Sequence, residues 1–263
     1  MQDNVIFDVG CHTGQDSDFY LRKGFRVVAV EANTTLCAAL KRRFASQIAD
    51  GQFILIEKAI AEHDGQVEFY LNLQASIWGT IRADWAERNT AAGTQSQKIL
   101  VPSIQFSSLI EQYGVPYYLK VDIEGADLLC LEGLLPFNDR PRFLSLEIEH
   151  RSLLRREMNL LTKLGYKRFQ IVEQGLVPKQ TVPHPAGEGI YVDYHFPSGA
   201  SGLFGKELPG AWLTRGAFVA KYYRLLARNR VLGLSKRFPV VKRLASKYSI
   251  SWYDIHAALE VDS

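Results

Sequence analysis

The sequence has little of several things, and each shortage excludes something. Its three cysteines, Cys11, Cys37 and Cys130, are odd in number and far apart. They fit neither a disulfide framework nor a zinc spacing, so a reducing, cytoplasmic setting is expected. No apolar stretch is long enough to cross a bilayer, and charges begin at Asp3. A membrane span and a secretory leader are therefore not expected. A net charge of +3 is too small to argue for nucleic acid as a partner. Acidic residues are missing altogether from Ala217 to Tyr253. What remains plentiful is apolar: 47% of 263 residues, enough to bury one large domain or a domain with an appendage.

The most informative stretch is Asn4 to Gly14, NVIFDVGCHTG. Val5, Ile6, Phe7 and Val9 read as a buried central strand. It ends on Asp8 and breaks into a loop bounded by Gly10 and Gly14, after which Gln15 to Lys23 returns to a helical pattern. A strand, a glycine turn and a helix start form the first unit of a nucleotide-binding sheet. Gly10 and Gly14 are expected to let the backbone approach a ligand. A dinucleotide fingerprint requires a glycine where His12 stands. The pattern D-x-G-x-x-x-G instead resembles the first motif of S-adenosylmethionine-dependent methyltransferases.

Arg26 to Ala32 is a second buried strand ending on Glu31. An acidic residue about twenty positions after the glycine loop suits a pair of ribose hydroxyls, although it could merely solvate a strand end. Asn33 and Thr34 can cap a helix over Leu36 to Ile48. Phe53 to Ile56 is a third strand, and Lys58 and Ala59 beyond it would border an adenine through backbone. Asp64-Gly65 signals a turn into an alternating strand, Gln66 to Leu71. Gln74 to Lys98 is polar, aperiodic and carries Trp78 and Trp85. It reads as a lid or as disorder, with Ser76, Trp78 and Thr80 on the substrate side if it is a lid.

After a helix over Ile104 to Tyr113 comes YYLKVDIEGADLLCLEGL, residues 117–134. Lys120, Asp122 and Glu124 fall at the carboxyl end of a core strand, where open α/β sheets bind ligands. They act on a ligand or form an ion pair that caps the strand, because unpaired burial is costly. Arg142 to Ile148 is the next strand, followed by Glu149 and His150. His150 could be a general base or the solvated start of a helix over Arg151 to Leu164. Lys167 to Val172 and Ile190 to Phe196 would supply the last two strands as a reversed edge hairpin. Gly199 to Trp212 is glycine-rich but lacks the Lys-Ser/Thr of a phosphate loop. From Lys221 to Lys247 nine basic residues alternate with apolar ones. Such a tail could rest on anionic lipid or glycan, or dock on its own domain or a second subunit.

Four motifs in order, FDVGCHTG, VVAVEAN, the K-V-D-I-E-G strand end and SLEIEH, resemble the FkbM family of methyltransferases over about residues 4–175. The resemblance implies an S-adenosylmethionine-dependent O-methyltransferase acting on a hydroxyl of a sugar, glycan or natural product. Asp8, Gly10, Gly14 and Glu31 match its cofactor positions, and Asp122 and Glu124 its D-x-E-G signature. The expected fold is a Rossmann-like, doubly wound, mostly parallel seven-stranded sheet over residues 1–200, then a loop and basic helical tail over 201–263. Asp122, Glu124 and His150 are the catalytic candidates; Asp8, Gly10, Gly14, Glu31 and Lys58 those for the cofactor. No metal site is assigned, although Asp122, Glu124 and Glu149 together could hold a divalent cation. The rival readings are a nicotinamide-dependent oxidoreductase and a non-catalytic module binding glycan or membrane through its tail.

Overall fold

The computed structural model describes residues 2–148, 153–235 and 252–260. The chain opens with β1 (Gln2–Val9), α1 (Gln15–Arg22) and β2 (Arg26–Val30). Val5, Ile6, Phe7 and Val9 are at most 2% exposed, as a central strand requires. Asn33 caps α2 (Thr34–Arg43), its side chain accepting the N–H groups of Thr35 and Leu36. The single helix expected to reach Ile48 breaks at Phe44, and α3 (Ala45–Ala49) follows. β3 (Phe53–Ile56) closes this half of the sheet.

The chain then leaves the main sheet for a smaller one. β4 (Ala59–Ile60), β5 (Gly65–Asn72) and β6 (Ser96–Ile104) pair in the order β4-β6-β5. The polar stretch 74–98 is thus the connection between two antiparallel strands. It is ordered, with a short 3-10 turn at Ser76–Trp78 and α4 (Ala83–Ala91). The strand runs on to Ile104, so the helix expected from there, α5, begins at Phe106 and ends at Tyr113.

The second half continues with β7 (Pro116–Val121), α6 (Asp127–Leu134), β8 (Phe143–Glu147), α7 (Leu154–Lys163), β9 (Arg168–Glu173), α8 (Arg215–Ser235) and β10 (Tyr253–Ala258). Seven strands pair in the order β3-β2-β1-β7-β8-β10-β9, parallel except where β10 runs against both neighbours. This is the Rossmann-like sheet the sequence implies, with one strand drawn from an unexpected place. Ile190 to Phe196 is not a strand. It lies across α1 as an extended strap, with Ile190 N–H donating to Lys23 O and the Phe196 ring 4.8 Å from Phe19. The seventh strand is β10, buried at all six positions between β8 and β9. Its Asp254 and His256 made it read as tail, since polar residues rarely mark a fully buried strand. The sheet therefore does not close at residue 200, and the carboxyl-terminal segment belongs partly to it. Of the basic tail residues, Lys221, Arg224, Arg228 and Arg230 lie on α8; those from Lys236 to Lys247 fall outside the described residues.

One glycine binds the two halves closely. Gly10 (φ +80°) follows β1, and a Cβ there would lie 1.9 Å from the Asp122 carbonyl oxygen. Gly24 (φ +88°) has the same handedness but open space around it. An alanine at either should cost about 1 kcal/mol through left-handed backbone strain. Gly10→Ala should cost at least about 2 kcal/mol more than Gly24→Ala, because the strand end must also move. Urea unfolding of both variants measures the difference, and equal costs would mean the β1–β7 contact yields easily.

Candidate active site

A cleft of about 720 Å³ opens at the carboxyl ends of β1, β2 and β7. Gly10, Cys11 and His12 line it from the first loop, Glu31 and Ala32 from the end of β2, and Lys58, Ala59 and Ile60 beside β3. Lys120, Asp122, Glu124 and Glu147 line it from the far half of the sheet. The connection between β5 and β6 adds Ser76 through Ile81, so the lid residues Ser76, Trp78 and Thr80 all face the cleft.

Glu31 is 9% exposed, and its carboxylate ties two backbone segments together. One oxygen accepts the His12 N–H at 2.9 Å and the other the Asn33 N–H at 2.8 Å. A carboxylate has about four acceptor sites, so about two are left for the cleft. Burial raises its pKa to about 7, against the pull of the same N–H bonds. The glycines serve packing more than ligand approach. The space beside Gly10 is taken by the Asp122 backbone, and a Cβ on Gly14 would meet Phe44 and Leu40 at 2.6 and 2.9 Å. Gly10 lines the cleft; Gly14 is absent from its lining.

Asp8 and Lys120 are register partners on β1 and β7. The Lys120 ammonium lies 3.2 Å from Asp8, 3.6 Å from Asp16 and 3.7 Å from Asp122. Ser17 donates to the second Asp8 oxygen at 2.6 Å, and Ser201 N–H donates to Asp16 at 2.8 Å. Desolvation would lower the Lys120 pKa, but the surrounding aspartates outweigh it and raise it. Lys120 is therefore a permanent cation. Asp8, matched to the cofactor loop from sequence, is 0% exposed and serves this buried network beneath the cleft.

The lid is latched to the D-x-E-G turn. Thr80 Oγ1 donates to the Glu124 carbonyl at 2.7 Å, and the Arg88 guanidinium pairs with the Glu124 carboxylate at 3.2 Å. Trp85 packs against Gly125, where a Cβ would lie 2.9 Å from the indole. On the other side, His12 Nε2 meets Ser76 Oγ at 2.8 Å. Burial lowers the His12 pKa, with Asp122 acting the other way, so the ring is neutral near pH 7. Burial and then the Asp122 charge push Glu124 up to about 8, and burial followed by Asp122 and Glu124 push Glu147 up to about 9.

Asp122 and Glu124 thus share the cleft with Glu31 and Lys58, as the sequence suggested. His150 and Glu149 lie outside the described residues. Three cleft residues were missed. His12 was noticed only as an interruption of a glycine pattern, although its φ of +49° marks a tight loop. Glu147 falls within the expected strand Arg142 to Ile148, where nothing local marks it as facing a cleft. Trp252, half exposed at the cleft edge, precedes the strand that went unrecognised.

Comparison with known proteins adds the family. Residues 8–168 match the model of the Methyltransferase FkbM domain. A segment of 53 residues is 40% identical to the probable ribosomal RNA small subunit methyltransferase A of Methanospirillum hungatei JF-1, covering 20% of this chain and 21% of that protein. The crystal structure of methyltransferase FkbM from Methylobacillus flagellatus KT is 20% identical, with a TM-score of 0.44 over 65% of this chain and 40% of that one. Precorrin-6y C5,15-methyltransferase from Geobacter metallireducens GS-15 is 14% identical, with a TM-score of 0.37 over 65% and 68%. The chain thus spans about a fifth of the curated relative and two fifths of the FkbM structure. The family match alone carries the assignment.

The raised pKa of Glu31 gives a test by pH. Ribose hydroxyls donate to the ionised carboxylate, so ligand binding favours loss of its proton. S-adenosylhomocysteine affinity should rise as pH rises through about 7, by at most about tenfold per pH unit below that value. Glu31→Gln should bind more weakly and lose this dependence in calorimetric titrations between about pH 6 and 8. An unchanged slope in the variant would remove Glu31 from the ligand.

Proposed function

The chain belongs to the Methyltransferase FkbM domain family, and from that premise we propose that it transfers methyl from S-adenosylmethionine to a hydroxyl oxygen of a sugar, glycan or natural product. The observation that carries this reading is Glu31. Its carboxylate stands at the end of β2, keeps acceptor sites free and borders a cleft shaped by the first strand–loop–helix unit. The residues fit the cofactor: carboxylate for the ribose, and Ile60 with Phe69 as apolar wall for the adenine. When bound, the cofactor supplies a methyl group on a positively charged sulfur.

The protein's own part is to hold, orient and deprotonate. Lys58, Ala59 and Ile60 border the base, and the Lys120 network keeps the strand ends at fixed separation. Asp122 lines the acceptor side of the cleft, where it receives the hydroxyl proton as the oxygen takes the methyl group. The lid turn at Ser76–Thr80 and the half-exposed Trp252 bound the acceptor and exclude water. Most of the rate comes from alignment of the acceptor oxygen, since fixing two reactants removes an entropic barrier. The neutral His12 ring is the second group able to take a proton here.

Titration with S-adenosylhomocysteine, NAD and NADP separates this reading from its oxidoreductase rival: only the first should bind. With methyl-labelled S-adenosylmethionine and a panel of glycosides as acceptors, Asp122→Asn should lose at least about a hundredfold in rate. Its S-adenosylhomocysteine affinity should stay within a few-fold of the parent. Normal turnover by Asp122→Asn would pass the role of base to His12 or His150.

A further inference from the structure

The carboxyl ends of β7 and β8 and the amino end of β10 carry more negative charge than the described residues around them neutralise. Carboxylate oxygens of Asp122, Glu124 and Glu147 lie within 4.8 Å of one another. Glu147 and Asp254 are direct partners on adjacent antiparallel strands, where like charges repel. Among the described residues two cations reach the group: Lys120, 3.7 Å from Asp122, and Arg88, 3.2 Å from Glu124. Lys120 is already shared with Asp8 and Asp16. Among the described residues, neither Glu147 nor Asp254 has a side-chain hydrogen bond or ion pair.

A separate feature points the same way. A small pocket beside the cluster is lined by Asp122, Glu147, Gln174 and Asp254. Gln174 is 6% exposed, yet its side-chain nitrogen has no hydrogen-bond partner. The two ends of an amide are interchangeable by rotation, so Gln174 can offer an oxygen to a cation or N–H groups to its other ligands. A buried, unsatisfied amide beside uncompensated carboxylates is costly unless something polar occupies the space between them.

We propose that Asp122, Glu124 and Glu147 bind one divalent cation, with Gln174 and Asp254 supporting it from the adjoining pocket. The donors are all oxygen, without histidine or thiolate, which suits Mg²⁺, Mn²⁺ or Ca²⁺ and not zinc. Glu149, which the sequence offers beside Asp122 and Glu124, lies outside the described residues. The ion would sit on the acceptor side of the cleft and fix an acceptor oxygen beside Asp122. That role rests on the methyltransferase reading; the binding itself does not.

The test is direct binding. The intact chain, treated with chelator and then freed of it, is titrated with Mn²⁺ by calorimetry, with Mg²⁺ as competitor. One saturable ion per chain is expected. Glu147→Gln should weaken it at least about tenfold, while Glu132→Gln, altering an exposed acid paired with Arg156, should leave it unchanged. S-adenosylhomocysteine affinity reports whether each variant is folded, and Glu124→Gln replaces Glu147→Gln if the latter is not. Absence of saturable binding, or binding undiminished in the folded cluster variant, overturns the proposal. Loss of S-adenosylhomocysteine binding by the parent chain would instead overturn the methyltransferase reading and leave the ion site standing.

Discussion

The buried ammonium of Lys120 is the interaction on which the rest of the site depends. Three aspartates from β1, α1 and the loop after β7 converge on it within 3.7 Å. Each would be expensive to bury alone, and together without a cation they would repel. With Lys120 in place they instead fix the first strand, the first helix and the D-x-E-G turn against one another. Removing one of the network's buried members, Lys120, Asp8 or Asp16, leaves uncompensated charge and costs about 3–5 kcal/mol, whereas the half-exposed Asp122 costs less. The ion-pair and ligand-site readings of Lys120 and Asp122 are therefore not alternatives. Lys120 and Asp8 form the buried base, while the Asp122 side chain remains 44% exposed at its upper edge.

A second dependence joins the far end of the chain to the cleft. β10 is the last strand in sequence, yet it lies between β8 and β9. Without it both strands would lose a buried partner, and an exposed edge next to the site would result. The same strand places Asp254 opposite Glu147 and brings Trp252 to the cleft edge. Residues outside the family-matched segment 8–168 thus shape one wall of the cleft.

The legible parts of the sequence were those governed by local rules. Val5 to Val9, Arg26 to Val30 and Tyr117 to Val121 are apolar enough to announce buried strands, and Asn33 announced its helix. Glu31 and Asp122 could be placed because a parallel sheet puts strand ends on one side. What stayed hidden depends on distant contacts. Ile190 to Phe196 alternates as a strand does, but its apolar side is spent on Phe19 and its backbone on Lys23. Tyr253 to Ala258 carries Asp254 and His256, which only a polar row across the sheet can accommodate. Ser145, opposite His256, also belongs to that row. The glycines were legible as needed but not as to why, since the atoms that exclude a Cβ come from Asp122 and Phe44.

The lid touches both sides of the cleft. Its polar, aperiodic sequence was compatible with disorder, yet it is held at both ends of the cleft by different chemistry. His12 holds it to the cofactor loop through Ser76, whereas Arg88, Thr80 and Trp85 hold it to Glu124 and Gly125. Glu124 has a φ of +47°, a conformation that costs about 1–3 kcal/mol in a residue other than glycine and persists only when its surroundings enforce it. Those surroundings include the lid, through Thr80 and Arg88, and the bond from Ile123 N–H to Asp127. A change in the charge near Glu124 therefore acts on the lid and on the end of β7 together. Arg88 is 48% exposed at its side chain and screened by solvent, so it is the weaker of the two polar holds on Glu124. The Thr80 hydroxyl, buried and aimed at the Glu124 carbonyl, is the stronger, because its loss would leave a backbone group without a partner.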